Sequence, residues 1–349
     1  MSENPLDLEE PTSVSPEAPK MKTTGLPEVE DTGPSPYPDI PASDASQFTA
    51  TNGHMTDIYF MSFCTAEFEP LTPIQTYEMT QSLLEEAIPD RPLIAPLAPM
   101  AVLRAEYEEG SQVFVKQIDW LTAHGSAGIR RTRGDGDCFY RSLAFAYIER
   151  LLLAKDPPLA VTSAISVLEA SQPLLEAAGF QRMVFEDFYD CFVSVINNIL
   201  TPEGNGRLLT SASLLEAFNS PEVSNSIVVY LRLLTSAQIR ADPDTYSAFL
   251  FHPEIGEPME VRDFCETFVE AVGKEADHVQ MTALSRVLKV NISVAYLDGH
   301  VRGEEGKVDF VEFNNVEDSV IDSVTLLYRP GHYDILDQRS EEPMDLEDQ

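Results

Sequence analysis

The chain has 349 residues, 43% of them hydrophobic, and carries 58 acidic against 23 basic side chains, a formal net charge of −35 at pH 7. This composition predicts a soluble globular protein with a sizeable core. The strong negative charge argues against nucleic acid or an anionic membrane as a partner and favours a partner with a basic surface. The most apolar long stretch, residues 92–103, is short and interrupted by prolines, so we expect no membrane-spanning segment.

The cysteines are widely spaced and include no CxxC pair; they are Cys64, Cys138, Cys191 and Cys265. A chain of this length does not need disulfides for stability, and its N-terminus lacks the basic and apolar regions of a secretory signal. We therefore expect a protein of a reducing compartment, the cytoplasm, with the nucleus as a second location. The histidines show no metal-ligand spacing, so neither a metal nor another cofactor is expected.

Both ends of the chain differ in composition from its middle. Residues 1–58 are rich in Pro, Ser, Thr, Asp and Glu and poor in large apolar residues, which predicts a disordered, acidic segment. Residues 339–349 are acidic and are predicted to be a second disordered tail. One folded domain, residues 59–338, is expected between them.

The hydrophobic pattern of this domain changes from helical to strand-like along the chain. Helical periodicity predicts helices over 72–88, 100–125 with a break near Gly110, from Cys138 onward, and over 160–180, 183–200, 211–219, 224–240, 261–272 and 277–290. Enrichment in β-branched and aromatic residues then predicts a meander of strands within 291–298, 308–313 and 324–336. The pattern indicates an α+β domain in which helices pack on a small, mostly antiparallel sheet.

The sequence GDGDCF, residues 134–139, places a cysteine where a glycine-rich turn becomes a helix. Cys138 is expected in the first helical turn, where unpaired N–H groups and the helix dipole favour the reactive thiolate. Gly134 and Gly136 would let the backbone turn tightly beside a substrate and form an oxyanion pocket. The alternative is that Cys138 is a small buried apolar residue, as lone cysteines more often are.

The sequence YRPGHYDIL, residues 328–336, contains the groups that would activate such a cysteine. Alternate side chains of a strand share a face, so His332 and Asp334 should point the same way. Asp334 could then orient the imidazole of His332 as a base for a cysteine nucleophile. The alternative is a hydrogen-bonded surface pair at a strand end.

Four stretches in a fixed order resemble the otubains, the ubiquitin-specific branch of the ovarian-tumour (OTU) cysteine proteases. They are GDGDCFYRSLAF, NSIVVYLRLLTS, FCETFVEAVGKEADHVQMTAL and LLYRPGHYDIL, and the resemblance covers about residues 70–337. It implies a papain-like OTU fold with an N-terminal helical ubiquitin-binding arm over about 70–125. By position it also implies roles for four residues: Cys138 as the nucleophile, His332 as the general base, Asp334 as its orienting carboxylate and Asp135 as a loop acid that holds the oxyanion loop.

The function that this resemblance implies is hydrolysis of the isopeptide bond between the C-terminal glycine of ubiquitin and a lysine amine. A preference for the lysine linkage that directs proteins to the proteasome is expected, with ubiquitin and polyubiquitin as partners and a monomeric enzyme. Two alternatives stay open. The fold could serve mainly to bind and inhibit ubiquitin-conjugating enzymes, or the protease could act on another ubiquitin-like modifier.

The chain departs from the otubain pattern beside the proposed nucleophile. Gly134 stands where otubains usually have proline, and Asp137 stands where they usually have asparagine. A carboxylate directly before Cys138 is expected to oppose thiolate formation at short range. Residues 300–323 are also divergent, so specificity that depends on them cannot be carried over.

Overall fold

The computed structural model describes residues 91–202, 206–300 and 306–338. The predicted disordered segments 1–58 and 339–349 and the predicted helix 72–88 lie outside these residues. The described part is an α+β domain, as the sequence predicted, and its sheet has six strands. None of its helices is both long enough and apolar enough to cross a membrane.

The first described segment supplies one edge of the sheet and two short helices. Its elements are β1 (Ala98–Pro99), α1 (Met100–Tyr107), α2 (Gln112–Ala123) and β2 (Gly128–Arg130). The two helices replace the single interrupted helix predicted over 100–125, and the break lies near Gly110 as expected. Strands β1 and β2 were not predicted, because two or three residues are too few to show an alternating pattern.

The helical layer follows in the order that the periodicity predicted, with one further single turn, Pro243–Tyr246, that was not predicted. Its elements are α3 (Cys138–Leu152), α4 (Pro157–Ala177), α5 (Arg182–Asn197), α6 (Ser211–Asn219), α7 (Pro221–Ala241), the single turn α8 (Pro243–Tyr246), the single turn α9 (Val261–Phe264) and α10 (His278–Leu288). Helix α3 lies at the centre and is buried on almost all sides, between α7 and strands β5 (Val324–Arg329) and β6 (His332–Asp337). The predicted helix 261–272 is instead α9 followed by a π-helical turn, Cys265–Val269.

The sheet has the strand order β1-β2-β6-β5-β3-β4, with β3 (Ile292–Tyr296) and β4 (Asp309–Phe313) at the far side. Four of its five pairings are antiparallel, which confirms the predicted type of sheet. The predicted meander is wrong in one respect, because β5 runs parallel to β3 and lies between β3 and β6. This order brings β6 to the middle of the sheet, directly beneath α3.

Candidate active site

The loop between β2 and α3 is held against the segment that follows the π-helical turn. Gly136 has φ +80°, and a Cβ on this residue would lie 2.1 Å from the carbonyl oxygen of Gly273. Only glycine can therefore occupy position 136 without displacing the backbone of the neighbouring loop. The sequence indicated a tight turn here, and the structure adds the reason for it, which is contact with a distant loop.

Cys138 is the first residue of α3, where the sequence placed it. Its side chain is 3% exposed and lines a cavity of about 510 Å³ together with aromatic residues that include Phe251, Phe268 and Tyr333. The thiol is thus buried, as the alternative interpretation had it, but it also borders a substrate-sized opening at a helix N-terminus. Cys138 is therefore shielded from bulk solvent and can still be reached by a substrate chain that enters the cavity.

His332 begins β6 and faces Cys138. Its Nε2 lies 2.9 Å from Oδ1 of Asp334, and the Cys138 side chain is close enough to influence the charge of the ring. Burial alone would lower the pKa of His332, but the hydrogen bond and negative charge of Asp334, together with the neighbouring Cys138 side chain, raise it to about 9. The imidazole is therefore protonated at neutral pH, beside the sulfur.

Asp334 is fully buried and its carboxylate has several donors besides the imidazole. The backbone N–H of Thr132 donates to Oδ1 at 2.9 Å, and the guanidinium groups of Arg131 and Arg329 contact Oδ2. Burial would raise the pKa of Asp334, but the hydrogen bond from His332 and the charge of Arg329 outweigh it and hold this pKa below its ordinary value. The carboxylate stays ionised and fixes the plane of the His332 ring.

Asp135 lies on the loop but is not hydrogen-bonded to His332. Its Oδ1 accepts from the backbone N–H of Asp137 at 3.0 Å, and its Oδ2 pairs with Arg141 at 2.7 Å. Arg141 in turn donates to Ser224 Oγ at 2.6 Å, which ties the loop to α7. The structure thus brings Cys138, His332 and Asp334 together and places Asp135 where it shapes the loop before the cysteine.

Asp137 forms an ion pair that the sequence did not reveal. Its Oδ1 accepts from Nε of Arg232 at 2.8 Å and from the backbone N–H of Gly273 at 3.1 Å. Arg232 is fully buried and also donates to the carbonyl oxygens of Gly136 and Lys274, at 3.2 and 2.7 Å. The expected opposition between Asp137 and a thiolate is therefore offset by a guanidinium countercharge.

One sequence signal could have found this pair. Arg232 lies among apolar residues in YLRLL, on the face of a helix that the periodicity assigns to the core. A buried arginine requires a carboxylate or several carbonyl oxygens as partners. Asp137, the unusual carboxylate directly before Cys138, was therefore a candidate partner for Arg232.

The arrangement has the parts needed for acyl transfer by a cysteine. A sulfur at a helix N-terminus lies beside a protonated imidazole that a buried carboxylate orients, and the first turn of a helix has N–H groups without intrahelical partners that can stabilise an oxyanion. Within the part of the chain that the structure describes, no cluster of three His, Cys, Asp or Glu side chains could hold a metal ion.

Comparison with known proteins identifies relatives over most of the chain. A family model described as Peptidase C65 Otubain matches residues 86–338. The OVARIAN TUMOR DOMAIN-containing deubiquitinating enzyme 1 of Arabidopsis thaliana is 35% identical over 263 residues, which are 73% of this chain and 84% of the relative. Ubiquitin thioesterase OTUB2 of Homo sapiens is 36% identical over 238 residues, which are 68% of this chain and 91% of the relative.

Solved structures of h/ceOTUB1 share the fold. The structure with ubiquitin aldehyde and UBCH5B~Ub has a TM-score of 0.64 at 29% identity and covers 75% of this chain and 97% of that chain. The structure with ubiquitin aldehyde and UBC13~Ub has a TM-score of 0.64 at 28% identity and covers 76% of this chain and 99% of that chain. The OTU-type α+β fold expected from the resemblance is confirmed, and this chain belongs to the otubain family of peptidases.

Proposed function

We propose that this protein is a deubiquitinating cysteine protease that hydrolyses isopeptide bonds at the C-terminus of ubiquitin. The observation that carries the proposal is the hydrogen bond between His332 and Asp334 beside Cys138, whose side chain lines a substrate-sized cavity. The names of the relatives, ubiquitin thioesterases and a deubiquitinating enzyme, support ubiquitin as the modifier.

In this mechanism the sulfur of Cys138 attacks the carbonyl carbon of the ubiquitin C-terminal glycine. The carbonyl oxygen becomes an oxyanion and is stabilised by backbone N–H groups of the loop and of the first turn of α3. His332, already protonated, gives its proton to the lysine nitrogen as the C–N bond breaks. The neutral imidazole then takes a proton from water, and the resulting hydroxide hydrolyses the thioester and regenerates Cys138.

The aspartates act through other groups in this mechanism. Asp334 orients His332 and stabilises the imidazolium, since its Oδ1 accepts the hydrogen bond from Nε2 and leaves Nδ1 for the sulfur. Asp135 and Asp137 are positioning residues, because their carboxylates bind Arg141 and Arg232 and so fix the loop that carries the oxyanion donors.

The decisive experiment is covalent labelling with ubiquitin that carries a C-terminal electrophile. We expect one adduct, at Cys138, and none after Cys138→Ala. The matched control is Cys265→Ala, which should label normally because burial raises the pKa of the Cys265 thiol and keeps it unreactive. Labelling that persists in Cys138→Ala would overturn the assignment of Cys138 as the nucleophile. Faster labelling by another ubiquitin-like modifier would show that this modifier, and not ubiquitin, is the preferred substrate.

A preference for the proteasomal type of lysine linkage is part of the proposal. Its support is the resemblance to otubains, together with a second cavity that His332 lines and Cys138 does not, with room for part of the leaving chain. Cleavage of a panel of di-ubiquitins, one for each linkage, tests it. Equal rates across the panel would contradict the preference.

A second candidate function is binding of ubiquitin-conjugating enzymes that carry ubiquitin. The observation that favours it is the likeness to h/ceOTUB1 in structures with UBCH5B~Ub and UBC13~Ub. The Cys138→Ala protein separates the two activities. Binding predicts that this variant still blocks chain synthesis by the conjugating enzyme, whereas catalysis predicts that the block disappears.

We also propose that the protein works in the cytoplasm, with the nucleus as a second location. The cysteines of the described residues, Cys138, Cys191 and Cys265, are all free thiols, which suits a reducing compartment. Imaging of the tagged full-length chain tests this location.

A further inference from the structure

Two cavities with different linings border the catalytic pair. The first is lined by Cys138 and not by His332. The second has a volume of about 710 Å³ and is lined by His332 and Gly134 but not by Cys138. The sulfur and the imidazole therefore each open onto a different space.

The chemistry of the reaction assigns a part of the substrate to each space. The acyl group, from ubiquitin, becomes bonded to the sulfur of Cys138, whereas the departing amine must receive its proton from the ring of His332. The leaving group therefore lies against the imidazole at the moment of bond cleavage. The second cavity is the space that the leaving group, a lysine within its own chain, would enter.

This second cavity is lined by four arginines, Arg91, Arg131, Arg133 and Arg329, and we call it the arginine cavity. Such a concentration of guanidinium groups is unexpected in a chain with 58 acidic and only 23 basic side chains. The cavity thus reverses locally the sign of the charge that the rest of the protein presents.

Part of the positive charge is neutralised inside the protein and part is not. Arg131 and Arg329 contact Glu106 and the buried Asp334. Arg133 instead donates to the backbone carbonyl of Arg91, with Nε at 2.9 Å from the oxygen. Within the described residues, no carboxylate forms an ion pair with Arg91 or Arg133. Among the described residues, four arginines line the cavity and two carboxylates pair with them, which leaves a surplus of positive charge.

We infer that the arginine cavity is a leaving-group subsite that binds carboxylate side chains adjacent to the acceptor lysine. The inference rests on the proposed function, and it names a class of preferred substrate, namely ubiquitin joined to lysines with Asp or Glu neighbours. A guanidinium binds a carboxylate through parallel hydrogen bonds, and a partly enclosed site makes the attraction stronger than at an open surface.

The test uses ubiquitin joined by an isopeptide bond to the lysine of short peptides. One peptide has Glu on both sides of the lysine and its partner has Gln, so that they differ in charge and little in shape. We expect the full-length protein to cleave the acidic conjugate with a kcat/KM about threefold to tenfold higher than the neutral one. The ratio should fall towards one as salt is raised, because screening weakens exposed ion pairs.

Variants separate charge from structure. Arg91→Gln and Arg133→Gln, singly and together, should reduce the acidic-to-neutral ratio to about one, whereas the corresponding lysine variants should keep a ratio above one. Arg91 is exposed, so its variants retain the fold even if those at Arg133 do not. A ratio of one in the unmodified protein would overturn the inference. So would an equal change in both rates in the glutamine variants, which would indicate that an acidic segment of the chain itself occupies the cavity.

Failure of the proposed function would be recognisable separately. Ubiquitin with a C-terminal aminocoumarin carries no peptide on the leaving side, so its hydrolysis reports the proposed function and not the arginine cavity. If no conjugate is cleaved, the Cys138→Ala protein still reports the inference, through tighter binding of the acidic conjugate than of the neutral one. Equal affinities of the Cys138→Ala protein for the acidic and the neutral conjugate would reject the subsite.

Discussion

The buried guanidinium of Arg232 donates through Nε, at 2.8 Å, to Oδ1 of Asp137, the residue directly before Cys138. The same guanidinium lies over the ring of Tyr140, 4.3 Å from its centroid, and donates to Val269 O at 2.9 Å. One residue of α7 thus joins the loop before the nucleophile to the π-helical turn. At position 137, where otubains usually have asparagine, this chain has an aspartate that gives the buried Arg232 a countercharge.

The first prediction concerns this ion pair. Arg232→Gln leaves a partly buried carboxylate without its cation and should lower the free energy of unfolding by about 3–5 kcal/mol. Asp137→Asn keeps an oxygen that can accept from Arg232, so we expect a smaller loss, about 1–2 kcal/mol. Urea denaturation measures both, and the double variant should lose less than the sum of the single losses. Strict additivity would show that the two side chains do not stabilise each other.

The second prediction compares the two glycines of the loop. Gly136→Ala should abolish labelling by electrophilic ubiquitin, because its Cβ would collide with the backbone of Gly273 at a positive φ. Gly134→Ala should label at close to the normal rate, because a Cβ there would lie 3.6 Å from Nδ1 of His332, an ordinary van der Waals distance. Equal labelling by the two variants would contradict the described path of the loop.

The third prediction distinguishes the two aspartates that the resemblance singled out. Asp334→Asn removes the carboxylate that orients His332 and leaves Arg329 without its buried partner, so kcat should fall by about 10²–10⁴. Asp135→Asn keeps an acceptor for the N–H of Asp137 and weakens only the pair with Arg141, so we expect a loss of about tenfold or less. Hydrolysis of ubiquitin aminocoumarin measures both losses of kcat. A larger loss in Asp135→Asn than in Asp334→Asn would show that Asp135, and not Asp334, is the carboxylate that supports His332.

The fourth prediction concerns pH. The pKa of His332 is raised from an ordinary 6.5 to about 9, so its imidazolium contributes fully to stability below about pH 6.5 and ceases to contribute as pH rises through about 9. The stability difference between the unmodified protein and His332→Gln should therefore shrink between these limits, as urea denaturation can show.

The same pKa can be followed directly by NMR of the histidine ring. Asp334→Asn and Cys138→Ala should each lower the pKa of His332, since both partners raise it. A ring that titrates at its ordinary value in the unmodified protein would contradict the described site.

Several elements were predictable because their signals are local. The start of α3 at Cys138 follows from glycines and an aspartate before an apolar run, and the shared face of His332 and Asp334 follows from strand alternation. The four stretches shared with otubains added the order of the site along the chain. The pairing of β3 with β5 was not predictable, because parallel strands are joined by long connections that leave no turn signal.

The sequence by itself therefore determined the family, the α+β class and the identity of the groups that could perform the chemistry, since these depend on residue types and short-range periodicity. Only the tertiary structure decided which distant groups meet: Cys138 with His332, Asp137 with Arg232, and four arginines around one cavity. The physical reason is that burial and electrostatic pairing depend on distances in space, which the packing of α3 and α7 against the sheet sets and which no local pattern encodes.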